Sequence, residues 1–311
     1  LAAGTLTSTA IFPQIAAGGT NPAYRTTMVA VNTGTQPATV NVSLTKSDAS
    51  PFPVTIAGGE PPLDVTPLQT KNGSSFNVAV PPAGTIRLDA GATGQTVAGY
   101  AKLLSSVPVN GSALFKTLDG DTILSEAGVG LAKPTRQFTV YIDNVNNAIS
   151  GYAVANYGAS PANLTFILRD KNGSTRDNAS LTLKPGEHKA EFAIERFKNT
   201  APAGFEGSIE FTSNQNVAAV ALRYDNPTYD VFSTIPVLVD EASTTLYFPQ
   251  VADGSGYRTN FILVNPSGSS TVAKLEFFAS DGTQLALPIG GVAKTSHDVP
   301  LSAKGVARFF T

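Results

Sequence analysis

Two stretches near opposite ends of this chain are nearly the same. Ile11-Phe12-Pro13-Gln14-Ile15-Ala16 returns as Tyr247-Phe248-Pro249-Gln250-Val251-Ala252. Each is followed by a glycine-containing turn and then by Tyr24-Arg25-Thr26 or Tyr257-Arg258-Thr259. The register holds further on: Val29-Ala30-Val31-Asn32 matches Ile262-Leu263-Val264-Asn265, and Val40-x-Val42-x-Leu44 matches Ala273-x-Leu275-x-Phe277. A weaker middle copy keeps step, with Ala153-Val154-Ala155-Asn156 and Leu164-x-Phe166-x-Leu168. A chain that repeats in this way builds one structural unit several times over. The repeat divides it into residues 1–118, 119–241 and 242–311.

The unit is a β unit. Apolar and polar residues alternate over five to eight positions, the mark of a half-buried strand. Turn signals separate the runs: Asn72-Gly73, Asn110-Gly111, Asn172-Gly173 and Asp281-Gly282. About seven short strands in roughly 110 residues predict tandem Ig-like antiparallel β-sandwiches. The cysteines and tryptophan of antibody domains are missing, so the assignment stands on strand count and patterning. One helical turn is expected at residues 194–198.

The third unit is short. The first two each continue into a final pair of strands, Thr96 to Lys116 and Phe205 to Arg223. The third reaches the counterpart of Leu88 at Gly305 to Phe309, and the sequence ends at Thr311. An incomplete sandwich leaves apolar faces in water, at ~1.5–3 kcal/mol for each large side chain. Either the sequence continues beyond Thr311 and supplies the absent strands, or a sheet edge is left able to pair with another chain. Leu275, Phe277, Val306 and Phe309 are therefore expected at a polymer interface, with Leu1 and Leu6 as the other half. Copies joining head to tail without closing a ring form a filament.

Composition excludes several alternatives. Charged residues are 14% of the chain, cysteine is absent and the net charge is −2. That excludes a disulfide framework and any cysteine-ligated metal, and it offers no electrostatic footprint for nucleic acid. No apolar run reaches the ~20 residues of a membrane span. His188 and His297 are read as exposed loop residues, not as a metal or catalytic pair. Asp119-Gly120-Asp121 and Asp170-Lys171-Asn172-Gly173 are read as turns, since the spacing of a calcium loop is missing. No catalytic, cofactor or metal residues are assigned, and the chain is not expected to be an enzyme. Asn-x-Ser/Thr occurs at Asn41, Asn72, Asn110, Asn163, Asn172 and Asn178, against about four expected by chance. Asn72, Asn110 and Asn172, at expected turn tips, are the candidate positions for covalent glycans.

Phe248-Pro249-Gln250-Val251-Ala252-Asp253-Gly254, Tyr257-Arg258-Thr259 and Leu263-Val264-Asn265-Pro266 together resemble a repeat of large secreted bacterial proteins built from tandem Ig-like β-sandwiches. The resemblance covers nearly the whole chain. It implies extracellular or cell-surface scaffolding rather than a chemical activity. A first residue other than Met fits a precursor cleaved upstream during export. The expectation is a structural subunit of an extracellular bacterial filament, partnered by copies of itself. The alternative is a spacer segment of a larger adhesin or carbohydrate-binding protein.

Overall fold

The computed structural model describes residues 7–58, 71–225, 231–239 and 243–311. Among them are strands in antiparallel sheets and one four-residue helix. The chain is all-β.

The first third contains β1 (Thr7–Ala17), β2 (Ala23–Val31), β3 (Ala38–Lys46), β4 (Val54–Gly58), β5 (Lys71–Gly73), β6 (Ser75–Val80), β7 (Thr85–Gly91), β8 (Val97–Asp119) and β9 (Thr122–Gly130). The middle holds β10 (Thr135–Asp143), β11 (Ile149–Ala155), β12 (Ala162–Asp170), β13 (Thr175–Leu183), β14 (His188–Phe192), α1 (Ala193–Arg196), β15 (Glu206–Tyr224), β16 (Phe232–Ile235) and β17 (Leu238–Val239). The last part adds β18 (Asn260–Val264), β19 (Thr271–Glu276), β20 (Leu287–Ile289), β21 (Val292–Lys294), β22 (Ser296–Leu301) and β23 (Val306–Phe310).

Alternation sets the faces. In β6 Phe76, Val78 and Val80 are buried while Ser75, Asn77 and Ala79 are exposed. A period of two puts one set on each face of a strand. Among the described residues each unit gathers a core of its own. The first gathers Phe12, Met28, Val42, Phe52, Leu88 and Leu103 from strands of two layers. The second gathers Phe138, Tyr152, Phe166, Ile209 and Phe211, with Phe138 stacked on Phe211 at 4.4 Å. The third gathers Phe261, Leu263, Leu275, Phe277, Ile289 and Leu301.

The structure departs from the sequence reading in the final strand pair of the first two units. Residues 97–119 form no hairpin but one unbroken strand. Its first part pairs with β3 as far as Ser105 against Val40, and with β1 as far as Val109 against Thr7. Its second part pairs with β2 and β9, from Asn110 against Val31. β15 does the same, first between β10 and β12, then between β11 and β16. Asn110-Gly111 was read as a turn and lies inside β8. A Cβ at Gly111 would overlap the Val29 carbonyl oxygen, so this glycine serves a close strand approach rather than a turn. Asn72-Gly73 lies in β5, paired with Thr55 and Val54. Gly173 and Gly282, by contrast, have φ of 86° and 83°, the left-handed region that glycine enters freely. The hairpin after β8 turns at Gly120, so β9 finishes the sheet of the first unit.

The candidate assembly edge

Three buried asparagines hold corresponding turns. Asn32 Nδ2 donates to the Gln36 and Val80 carbonyls, and Asn32 Oδ1 accepts from the Gly34 N–H. Asn156 does the same with Ser160, Leu183 and Gly158. Asn265 does so with Ser269, Ser302 and Ser267. A second device recurs six residues earlier. Thr26 Oγ1 donates to the Ala16 carbonyl and accepts the Ala16 N–H, at 2.9 and 3.0 Å. Thr259 clamps Ala252 and Ser150 clamps Asp143 in the same two-way manner. These contacts explain the threonine of the repeated Tyr-Arg-Thr motif and the asparagine of the repeated Val-Asn motif. They also fix the correspondence of the three units residue by residue.

With that correspondence, the third unit differs at one place. In the first unit β2 lies between β7 and β8, and β3 lies between β6 and β8. In the third unit β18 pairs with β23, the counterpart of β7, and β19 pairs with β22, the counterpart of β6. Among the described residues neither has a neighbour on its other side. One edge of each small sheet is open, where β8 or β15 would lie. The segment before β18 is loosened as well. Ala10, Ile11 and Phe12 are at most 2% exposed beside β8, whereas Leu246, Tyr247 and Phe248 are 65%, 88% and 46% exposed. The Thr259 clamp still holds Ala252 at the end of that segment.

The residues expected at the interface are placed differently from the expectation. Leu275, Phe277 and Val306 are buried, not open to water. β20 and β22 supply Leu287, Ile289, Val299 and Leu301 to the core that buries Leu275 and Phe277, while the Val306 N–H donates to the Lys171 carbonyl of the second unit. Phe309 is half-buried and stacks on Phe261 at 5.1 Å. What stays open is backbone and the side chains of residues 246–248. Leu1 and Leu6 lie outside the described residues. Asn72 is exposed and accepts from Thr55 Oγ1; Asn172 is exposed in a turn; Asn110 is half-buried in mid-strand.

The histidines also correct the sequence reading. His188 is a buried strand residue, 3% exposed. It sits where the second unit meets the first: its N–H donates to the Ser47 carbonyl and its Nδ1 contacts Ser47 Oγ at 3.0 Å. Burial lowers its pKa to about 4. His297 is half-buried on β22 with its ring against Phe309. Among the described residues no group of three or more His, Asp or Glu could hold a metal ion. No helix among them is long and apolar enough to cross a membrane. Of the tyrosines, Tyr141 and Tyr152 are core residues whose hydroxyls donate to Glu206 and Glu191. Burial pushes both hydroxyls' pKa values up.

No family model matches the chain, and no characterised protein matches it in sequence.

Proposed function

We propose that this chain is a structural subunit of an extracellular bacterial filament or surface fibre. In this reading three Ig-like sandwiches follow one another, and the third is completed by a strand from the next subunit. The observation that carries it is the pair of open edges at β18 and β19, in a unit whose siblings close the same edges. Unpaired N–H and C=O groups on a sheet edge are a template for strand addition. A heterologous contact of this kind does not close on itself and so gives a fibre. Residues 246–248 add exposed apolar side chains beside the same edge. The resemblance to secreted bacterial repeat proteins supports the location, and Asn72 and Asn172 are exposed enough to carry glycans.

Electron microscopy of the native protein tests this. Filaments with a repeat of one subunit are expected at high concentration. Single unassembled particles would refute the reading. A native polypeptide far heavier than 32.2 kDa, with the excess not sugar, would favour a spacer inside a larger surface protein.

A further inference from the structure

The seam between the first and second units closes at one end and opens at the other. Along β11 side chains alternate, so Tyr152 and Val154 enter the second core while residues 151, 153 and 155 face the first unit. At one end Ala155 and Ala218 meet Ile11 and Tyr100 in an apolar contact. At the other, Gly151, Ala153 and Ala190 floor a cleft of about 480 Å³, within the ~300–1,000 Å³ of small-molecule sites. Gln14, Tyr24 and Thr96 of the first unit form one wall, and Phe192, Glu195 and Tyr224 of the second form the other.

Local structure prepares both walls. β1 and β8 slip register between Phe12 and Ile15, so Pro13-Gln14 sit in a bulge, a device that re-aims a side chain. Gln14 lines the cleft, yet its Oε1 is shut from water and has no hydrogen-bond partner among the described residues. An orphaned buried acceptor is unfavourable. The terminal torsion of a glutamine is soft, and a small turn presents the oxygen to a donor in the cleft. Opposite, Phe192 packs over Gly151, where a Cβ would come within 3.1 Å of the ring, and it meets Tyr224 edge-on at 5.4 Å. The Tyr224 hydroxyl bonds across the joint to Tyr24. All three rings are half-buried, so part of each aromatic surface stays open.

Charge selects the ligand. Glu191, also at the cleft, is satisfied by Tyr152, Arg196 and Lys189. Glu195 accepts the Phe192 N–H. Two carboxylates against Lys189 and Arg196 leave the neighbourhood electrically even. A cationic ligand finds no surplus negative charge there, and an anionic one no unpaired cation. What the cleft offers is acceptors, Glu195 and Gln14 Oε1, beside aromatic surface. A neutral polyol with a C–H face suits both, its hydroxyls donating to the acceptors and its ring carbons lying on the aromatic side chains. We infer that this cleft binds a neutral saccharide, held through its hydroxyls by Gln14 and Glu195 and through its apolar face by Phe192 and Tyr224. Both walls belong to one chain, so the site needs no assembly of subunits.

Calorimetric titration of the full chain with cellobiose, maltose, lactose and chitobiose tests this, with choline as a cationic probe. Saturable binding of at least one of these sugars, one per chain, is expected. Gln14→Leu, close in size, should weaken it about tenfold, with a melting temperature no lower than the parent's. Phe192→Ala should weaken it too. Tyr257→Ala, at an exposed ring of the third unit, should leave it unchanged. No saturable binding by any of the four sugars overturns the inference. So does binding of choline alone, which makes the cleft a cation site, and so does sugar binding untouched by Gln14→Leu. Whether filaments form alters none of these outcomes.

Discussion

At the residue scale, the repeat is held by a few polar side chains buried for a purpose. Asn32, Asn156 and Asn265 each replace backbone partners that a turn would otherwise leave unpaired. Leaving buried carbonyls unsatisfied costs ~1–3 kcal/mol each. Asn156→Ala is therefore expected to lower the stability of the second unit by about 2–3 kcal/mol, read as a shift in urea midpoint. The sequence marked these asparagines as equivalent without revealing their bonds. It missed His188, because a polar Pro-Gly-Glu-His-Lys stretch gives no sign that the first unit packs over it. The His188 effect has a definite sign. Its folded pKa of about 4 lies below the ordinary 6.5, so the unfolded chain holds the proton first as pH falls. Stability is full above pH 6.5 and declines between 6.5 and 4, by at most ~1.4 kcal/mol per pH unit. Melting temperature followed over that range should fall less steeply in His188→Asn than in the parent protein. Parallel slopes would place the ring's titration elsewhere.

At the scale of elements, β8 and β15 organise their units. Each feeds two sheets, so a fault at the start of either reaches both layers of one core. A Cβ at Gly207 would overlap the Arg169 carbonyl oxygen, so Gly207→Val should destabilise the second unit by about 1–3 kcal/mol or more, the range for overpacking. Calorimetry resolving separate transitions would show this, and an unchanged second transition would contradict the close approach at Arg169. The sequence displayed the alternation of these strands well. It misplaced the break because Asn-Gly has two uses, a tight turn and a close strand contact, and only the neighbouring strand tells them apart. The helix expected at residues 194–198 is present as Ala193–Arg196, ahead of the Ala201-Pro202-Ala203-Gly204 breaker.

At the scale of the whole molecule, the two joints differ in chemistry. The first and second units share an apolar seam of Ile11, Tyr100, Ala155 and Ala218. A second patch of Phe115, Ala127 and Phe232 extends it, where Ser125 Oγ bonds both to and from the Phe232 backbone. The third unit meets the second through charge. Arg308 donates to the buried Asp143 at 2.6 Å, Asp143 also accepts from Arg223, and Lys304 pairs with Glu210 at 2.8 Å. The Asp170–Gly173 turn fits beneath, with the Lys171 carbonyl accepting from the Val306 N–H. A charge-assisted hydrogen bond contributes ~1.5–3 kcal/mol. Arg308→Met should loosen the joint by roughly that amount, seen as a lower melting transition for the third unit and a wider spread of particle dimensions in X-ray scattering. The exposed Lys274–Glu276 pair is screened by water and salt, and Lys274→Met should leave the same transition where it was.

The sequence alone determined that the protein is made of β-strands and that a unit recurs. These follow from local alternation and self-similarity, which need no knowledge of neighbours. Tertiary structure decided that β8 and β15 are each one crossing strand rather than two, that Leu275 and Phe277 are covered, and that the third unit is tied on by Arg308 and Asp143. Those depend on which backbone lies beside which, and pairing between distant strands is not written in the period of either one.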